Sequence, residues 1–158
     1  MWLSRAIILL SLMFLNMCVS EQKDSVAVQG RQIEYRGTLE FLNDTTVISK
    51  IYIAVADDEM SRSLGLMDVR DLKHDGGMLF VFNDNDRLSF WMANTPLPLD
   101  LIFVNSNLQI VHIHHNATPF SQQGIDSVYP AKYVVEVNAG YAMRYDLQPG
   151  QFISFNYK

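Results

Sequence analysis

The sequence predicts a mainly β domain, an antiparallel β-sandwich or barrel of jelly-roll type with one or two short helices. Short stretches alternate apolar and polar residues with period two and are rich in β-branched and aromatic side chains. Turn-forming clusters separate them: Asn43-Asp44, Asn83-Asp84-Asn85-Asp86, Asn105-Ser106-Asn107 and Pro149-Gly150. Helical spacing occurs in one segment alone.

Residues 38–42 and 47–55 open the series. In the second stretch Ile51, Ile53 and Val55 alternate with Lys50, Tyr52 and Ala54, the pattern of a half-buried strand. Asp57-Asp58-Glu59 then offers an N-cap and first-turn acids, and Met60, Leu64 and Met67 recur at helical spacing. A helix over 58–66 follows, with Gly65 weakening its end. Asp75-Gly76-Gly77 reads as a turn. Strands are expected at 78–82, 88–92, 99–104, 109–114, 133–137 and 152–157. About eight short strands at regular spacing suit a sandwich or barrel. The chain has no internal repeat and no low-complexity tract.

Ahead of the domain, residues 1–20 read as a signal peptide. Arg5 leads into the apolar run 6–15, which the polar Asn16 ends. A signal-peptide core needs about 7–15 apolar residues and a membrane span roughly 20, so length favours the signal over an uncleaved anchor. Cys18 and Ser20 are small residues two apart, which suits cleavage after Ser20. Leu15-Asn16-Met17-Cys18 also resembles a lipoprotein signal in which the cysteine is acylated, although Asn16 and Met17 stand where small residues are preferred. Cys18 is thus a candidate lipidation site and a potential membrane tether. Residues 21–35 read as a linker and 36–158 as a single β domain, expected outside the cytoplasm in the periplasm, cell envelope or medium.

Composition removes several chemistries. Cys18 is the sole cysteine, so the domain has no disulfide and no thiol nucleophile. Without Arg5, eleven Lys and Arg face seventeen Asp and Glu, a formal charge of −6. Phosphate backbones call for clustered cations, so nucleic acid is not an expected partner. No Gly-x-Ser-x-Gly elbow and no phosphate-cradling glycine loop occurs. No cofactor is implied.

Gly65-Leu66-Met67, the segment 77–82 (GMLFVF) and the segment 90–100 (FWMANTPLPLD) carry a resemblance, joined by Asn116-Ala117-Thr118-Pro119 and Glu136-Val137-Asn138-Ala139-Gly140. Together they resemble the bacterial and archaeal domain of unknown function 192 family, in order from about Lys50 to Phe155. The resemblance implies a β-sandwich of jelly-roll-like topology, often secreted or lipid-anchored. It implies no reaction, because none is established for the family. This chain carries Ala93 where the family usually has Lys, so a positive charge beside Asn94-Thr95 is missing.

The 90–100 segment is also the best site candidate on physical grounds. Alternation puts Phe90 and Met92 on one face and Trp91 on the other. Pro96 and Pro98 remove two backbone donors, forcing an ordered excursion that should bring Asn94, Thr95 and Asp100 near the indole. An aromatic platform with a few convergent polar groups suits a small ligand, sugars included. The plain alternative is that Trp91 fills the core while Asn94 or Asp100 ties the loop to backbone amides. Glu136 sits in an otherwise apolar strand, where a carboxylate needs a partner, and Arg62 or Arg144 or loop amides could supply one.

His112 and His114 share a strand face and could ligate one metal ion. A closed site needs a further ligand, and nothing in the spacing selects among His74, Asp100, Asp126 and Glu136. Three functions therefore stand open. The leading one is a non-enzymatic binding module of the cell envelope for a small ligand or envelope component, with Trp91, Asn94, Thr95, Asp100, Arg62 and Glu136 as its site. The others are a metal-dependent enzyme built on His112 and His114, and a purely structural or interaction role.

Overall fold

The structure, a computed structural model, describes residues 30–158. The expected signal peptide, its cleavage site and Cys18 lie outside the described residues. Among the described residues no helix is long and apolar enough to cross a membrane.

Strands β1 (Gly37–Asn43) and β2 (Thr46–Ala56) pair antiparallel about a turn at Asp44. Asp44 takes φ 52°, a left-handed conformation that Asp tolerates better than most residues. Asp58 then caps α1 (Glu59–Leu64): its carboxylate accepts from the Ser61 amide at 3.0 Å, and its own amide donates to Ser61 Oγ at 3.2 Å. The helix carries no buried residue and serves as a crossover. It returns the chain to β3 (Gly76–Asp86), which lies parallel to β2.

The remaining elements are β4 (Ser89–Phe90), β5 (Leu99–Val104), β6 (Ile110–Ala117), β7 (Ile125–Asp126), β8 (Ala131–Asn138), α2 (Tyr141–Arg144) and β9 (Phe152–Tyr157). Seven strands form one sheet in the order β6-β5-β8-β3-β2-β1-β9, and β4 pairs with β7 in a two-residue ribbon. The long sheet curls until its edges touch at one end. There Gln109 bridges Phe152, the Ile110 amide donates to the Gln151 carbonyl at 2.8 Å, and the Ile153 amide donates to the Leu108 carbonyl at 2.9 Å.

The mainly β expectation with two short helices stands. Of the sandwich-or-barrel alternatives, the long sheet is a single curled one, a half-barrel, and its β2–β3 pair is parallel where antiparallel pairing was expected. Gly76 and Gly77, read as a turn, begin β3 instead. A β-carbon on Gly77 would stand 2.7 Å from the Glu136 carbonyl, so this position needs glycine for close approach of backbones. The expected turn at 83–86 is the exposed end of β3, where the ladder to β8 is interrupted between Val81 and Asp86. The expected strand at 88–92 shortens to Ser89–Phe90.

Because strand side chains alternate, the sheet has two apolar faces. Leu39, Phe41, Ile51, Ile53, Leu79, Ile102, Val135 and Ile153 fill the inside of the curl. Met78, Phe80, Leu99, Leu101, Phe103 and Val134 face outward from the central strands, and Leu66, Val69, Leu72, Met92 and Ile125 cover them from the connecting segments. Those covering segments, rather than a second large sheet, shelter the outer face. They also leave a gap.

Candidate functional site

The gap is a cavity of about 400 Å³ between the α1 segment, β3, β8 and the chain from Ser89 to Thr95. Phe80, Phe82, Phe90 and Trp91 supply aromatic walls, Leu64–Met67 form one side, and Glu136 contributes a carboxyl. Phe90 organises the rings. It meets Phe80 edge to face at 5.1 Å and 88°, Phe82 at 6.1 Å and 77°, and Phe103 at 6.0 Å and 81°.

Four of the six residues singled out by sequence line this cavity: Trp91, Thr95, Arg62 and Glu136. The indole is 56% exposed although its neighbour Met92 is buried. The prolines do interrupt strand pairing, and the excursion is tied down by its own backbone. The Met92 amide donates to the Ser121 carbonyl at 3.0 Å, Thr95 to Met92 at 3.0 Å, and Phe120 to Thr95 at 3.1 Å. Thr95 is buried, and its hydroxyl donates to the Ala93 carbonyl at 3.5 Å, a long contact that leaves it free to serve another acceptor. Ala93 is buried and brings no charge.

Two of the six go elsewhere. Asp100 is wholly buried and lies on β5 with Ile102 and Val104, on the sheet face opposite Leu99, Leu101 and Phe103, hence away from Trp91. Its carboxyl oxygens accept from the Asn116 amide and from the Ala142 amide of α2, each at 2.9 Å. It organises the interior. Asn94 is exposed in a left-handed turn at φ 56°, its carbonyl accepting from the Asp68 amide at 2.8 Å. Its place is explained by tolerance of that conformation.

The expected Arg62–Glu136 ion pair does not form, nor does one with Arg144. Among the described residues the ion pairs are Arg36–Asp57, Lys50–Glu40 and His74–Asp75. Arg62 instead donates to the Val81 carbonyl at 2.9 Å and rests over the Phe82 ring, 5.3 Å from its centroid. Glu136 is 5% exposed and makes no hydrogen bond with any described residue. Its oxygens nonetheless keep contact with the cavity rather than being closed off in the core. It stands between Met78 and Leu101 of the neighbouring strands. Burial without a counter-ion pushes its carboxyl up to about 8.

His112 and His114 stay on β6, where His112 stacks on Phe103 at 5.8 Å and 23°. Burial and then repulsion from His114 and His115 lower the His112 pKa. No group of three or more His, Cys, Asp or Glu among the described residues is placed to hold a metal ion.

Sequence reasoning missed the wall residues Phe80 and Phe82, whose spacing of two in MLFVF already puts them on one strand face. It also missed Arg31. Its guanidinium donates to the Gly65 carbonyl and, through Nε, to the Met67 carbonyl at 3.0 Å, fixing one side of the cavity.

A curled β sheet whose outer face holds an aromatic-walled cavity, with an acid that no described residue partners, defines a pocketed β domain. The chain belongs to the domain of unknown function 192 family, described as an uncharacterized ACR, which matches residues 40–155. Among solved structures it is similar to a protein of Sinorhizobium meliloti 1021 described as a candidate transcription regulator. That match has 35% identity, covers 79% of this chain and 98% of the other, and has a TM-score of 0.73. It is also similar to a protein of unknown function from Novosphingobium aromaticivorans DSM 12444, at 29% identity, with 74% and 83% of the two chains covered and a TM-score of 0.70. No curated protein matches.

Proposed function

We propose that the domain is a non-enzymatic binding module for a small molecule, working outside the cytoplasm. The observation that carries the reading is the convergence of Trp91, Thr95, Arg62 and Glu136 on one cavity. A volume of about 400 Å³ falls within the range of small-ligand sites, and mostly apolar walls with a few polar groups are their usual lining. The four rings offer contact surface to a ligand's apolar body, and Glu59, Arg62, Ser63, Ser89, Thr95 and Glu136 offer partners for its polar groups. The export reading rests on the leader-like residues 1–20, and a membrane tether on Cys18. The acidic charge speaks against a nucleic-acid partner, so the description of the Sinorhizobium relative is not carried over.

One observation favours a second reading. A carboxyl held protonated near neutral pH in an apolar pocket is suited to general acid catalysis. Among the described lining residues no thiol or imidazole accompanies Glu136; Glu59 is the second carboxyl there, and Ser63, Ser89 and Thr95 bring the hydroxyls.

Tryptophan fluorescence tests the binding reading. Trp2 and Trp91 are the only tryptophans, so the difference between the wild-type chain and Trp91→Phe isolates the cavity indole. Titration with small aromatic fragments should change that difference signal and raise Tm, as any ligand selective for the folded state does. Trp91→Ala should weaken binding without unfolding the domain. A fragment panel that leaves both signals untouched would remove the reading.

A further inference from the structure

We propose, resting on the pocket reading above, that the cavity takes an amphipathic ammonium, with its apolar body among Phe80, Phe82, Phe90 and Trp91 and its charged nitrogen on the Glu136 carboxylate.

The argument begins with an electrostatic need. Glu136 lies in the central strand β8, and its neighbours across both ladders, Met78 and Leu101, are apolar. Removing a carboxylate from water is costly unless a cation or several donors replace the lost solvation. Neither is supplied by the described residues: the nearby guanidinium of Arg62 is turned to the Val81 carbonyl and the Phe82 ring. The acid nevertheless reaches the cavity. A ligand ammonium would meet the need directly.

The walls point the same way. Aromatic faces attract cations, most strongly where water is excluded, and four rings border this space. An anion would instead meet two carboxyl groups, Glu59 and Glu136, against the single cation Arg62, whose guanidinium is already turned to the Val81 carbonyl and the Phe82 ring. Besides Glu136, the titratable groups lining the cavity are Glu59 and Arg62, both from α1, while β3 and the segment 89–95 bring none. Arg62 at the wall disfavours a second positive charge on the ligand and suits a single one placed deep.

Binding must then displace a proton. The free carboxyl, with its pKa raised to about 8, is mostly neutral at neutral pH, whereas an alkyl ammonium stays charged to roughly pH 10. Affinity for the amine should therefore rise nearly tenfold per pH unit from about pH 6 towards 8. Close to one proton should be released per site at about pH 7.

Isothermal titration of the full chain with phenethylamine, 3-phenylpropan-1-ol and 3-phenylpropionic acid tests this at about pH 6, 7 and 8. Three results are expected: amine binding that tightens with pH, proton release detected by changing the buffer, and weak, pH-independent binding of the alcohol. Glu136→Gln should abolish the preference for the amine over the alcohol and remove the pH dependence of amine binding. The inference is overturned if the alcohol or the acid binds as tightly as the amine near pH 8, or if Glu136→Gln keeps amine binding. The wild-type pH series decides the matter even if that variant folds poorly. Alcohol binding without amine binding sinks the ammonium alone, whereas silence from all three probes sinks the pocket reading with it.

Discussion

Glu136 stands directly across the β3–β8 ladder from the buried Met78, so the carboxyl that lines the aromatic cavity has a thioether as its cross-strand neighbour. Central strands are covered on both faces, which is why such a position ordinarily holds an apolar residue. Burial raises its pKa to about 8, because no described residue offers a cation or a hydrogen bond to offset ionisation there.

A pH signature follows. The folded carboxyl holds its proton to about 8, while the same group in the unfolded chain loses it near 4.5. Between those values the native state binds more protons, so the contribution of Glu136 is fully present below about pH 4.5 and is lost progressively up to about 8. Glu136→Gln should flatten that slope and make the domain more stable near pH 8, by a few kcal/mol at roughly 1.4 kcal/mol per pKa unit. Urea unfolding across pH measures it. An unaltered slope in the variant would show that Glu136 is compensated in solution.

Removing the Asp100 carboxyl should destabilise the domain, where removing that of Glu136 stabilises it. Its two oxygens satisfy the amides of Asn116 and Ala142, and no water can replace them in a fully buried site. Asp100→Ala leaves both donors unpaired and should cost about 3–6 kcal/mol, at roughly 1.5–3 kcal/mol per hydrogen bond to a charged group. Fragment binding at the cavity, on the other face of the sheet, should persist in whatever fraction stays folded. Denaturant midpoints with the Trp91 signal read both effects.

The contrast between Glu136 and Asp100 shows what was legible in the sequence. Local signals carried well: the acidic run 57–59 supplies the N-cap of α1 at Asp58, and Pro96 and Pro98 do break pairing before Leu99. Alternation correctly separated Trp91 from Phe90 and Met92 in exposure. Non-local geometry was not legible. The parallel β2–β3 pairing depends on where α1 returns the chain, and no residue of either strand encodes that choice. Asp100 was expected near Trp91 because it is close in sequence, but the excursion between them changes which face the next strand shows. Glu136 was correctly singled out as a problem, yet its expected partner Arg62 found a carbonyl and a ring instead.

Divalent metals should do little. His112 is engaged in stacking on Phe103, and no third ligand among the described residues joins it and His114. Zinc or nickel, followed by chelator, should leave Tm within about a degree, because a ligand without affinity for the folded state adds nothing to its stability. His112→Ala should lower Tm modestly through lost packing. A large metal-dependent rise abolished by His112→Ala would instead restore the metal reading.

The wall of the cavity rests on Gly65, which follows α1 with φ 45° and ψ −131°. That region is strained for any residue with a β-carbon, and substitution there costs on the order of 1–3 kcal/mol. Space adds a second effect: an added β-carbon would lie 3.3 Å from Cζ of Phe80, one of the aromatic walls. Gly140 separates the two contributions, since it also has a positive φ, 82°, but nothing lies within 4 Å of its hypothetical β-carbon. Gly140→Ala should therefore cost stability alone. Gly65→Ala should cost stability and also shift the Phe80 ring, weakening fragment binding read by Trp91 fluorescence. If the two alanine variants lose stability alike and bind fragments alike, the Gly65–Phe80 contact has no part in shaping the cavity.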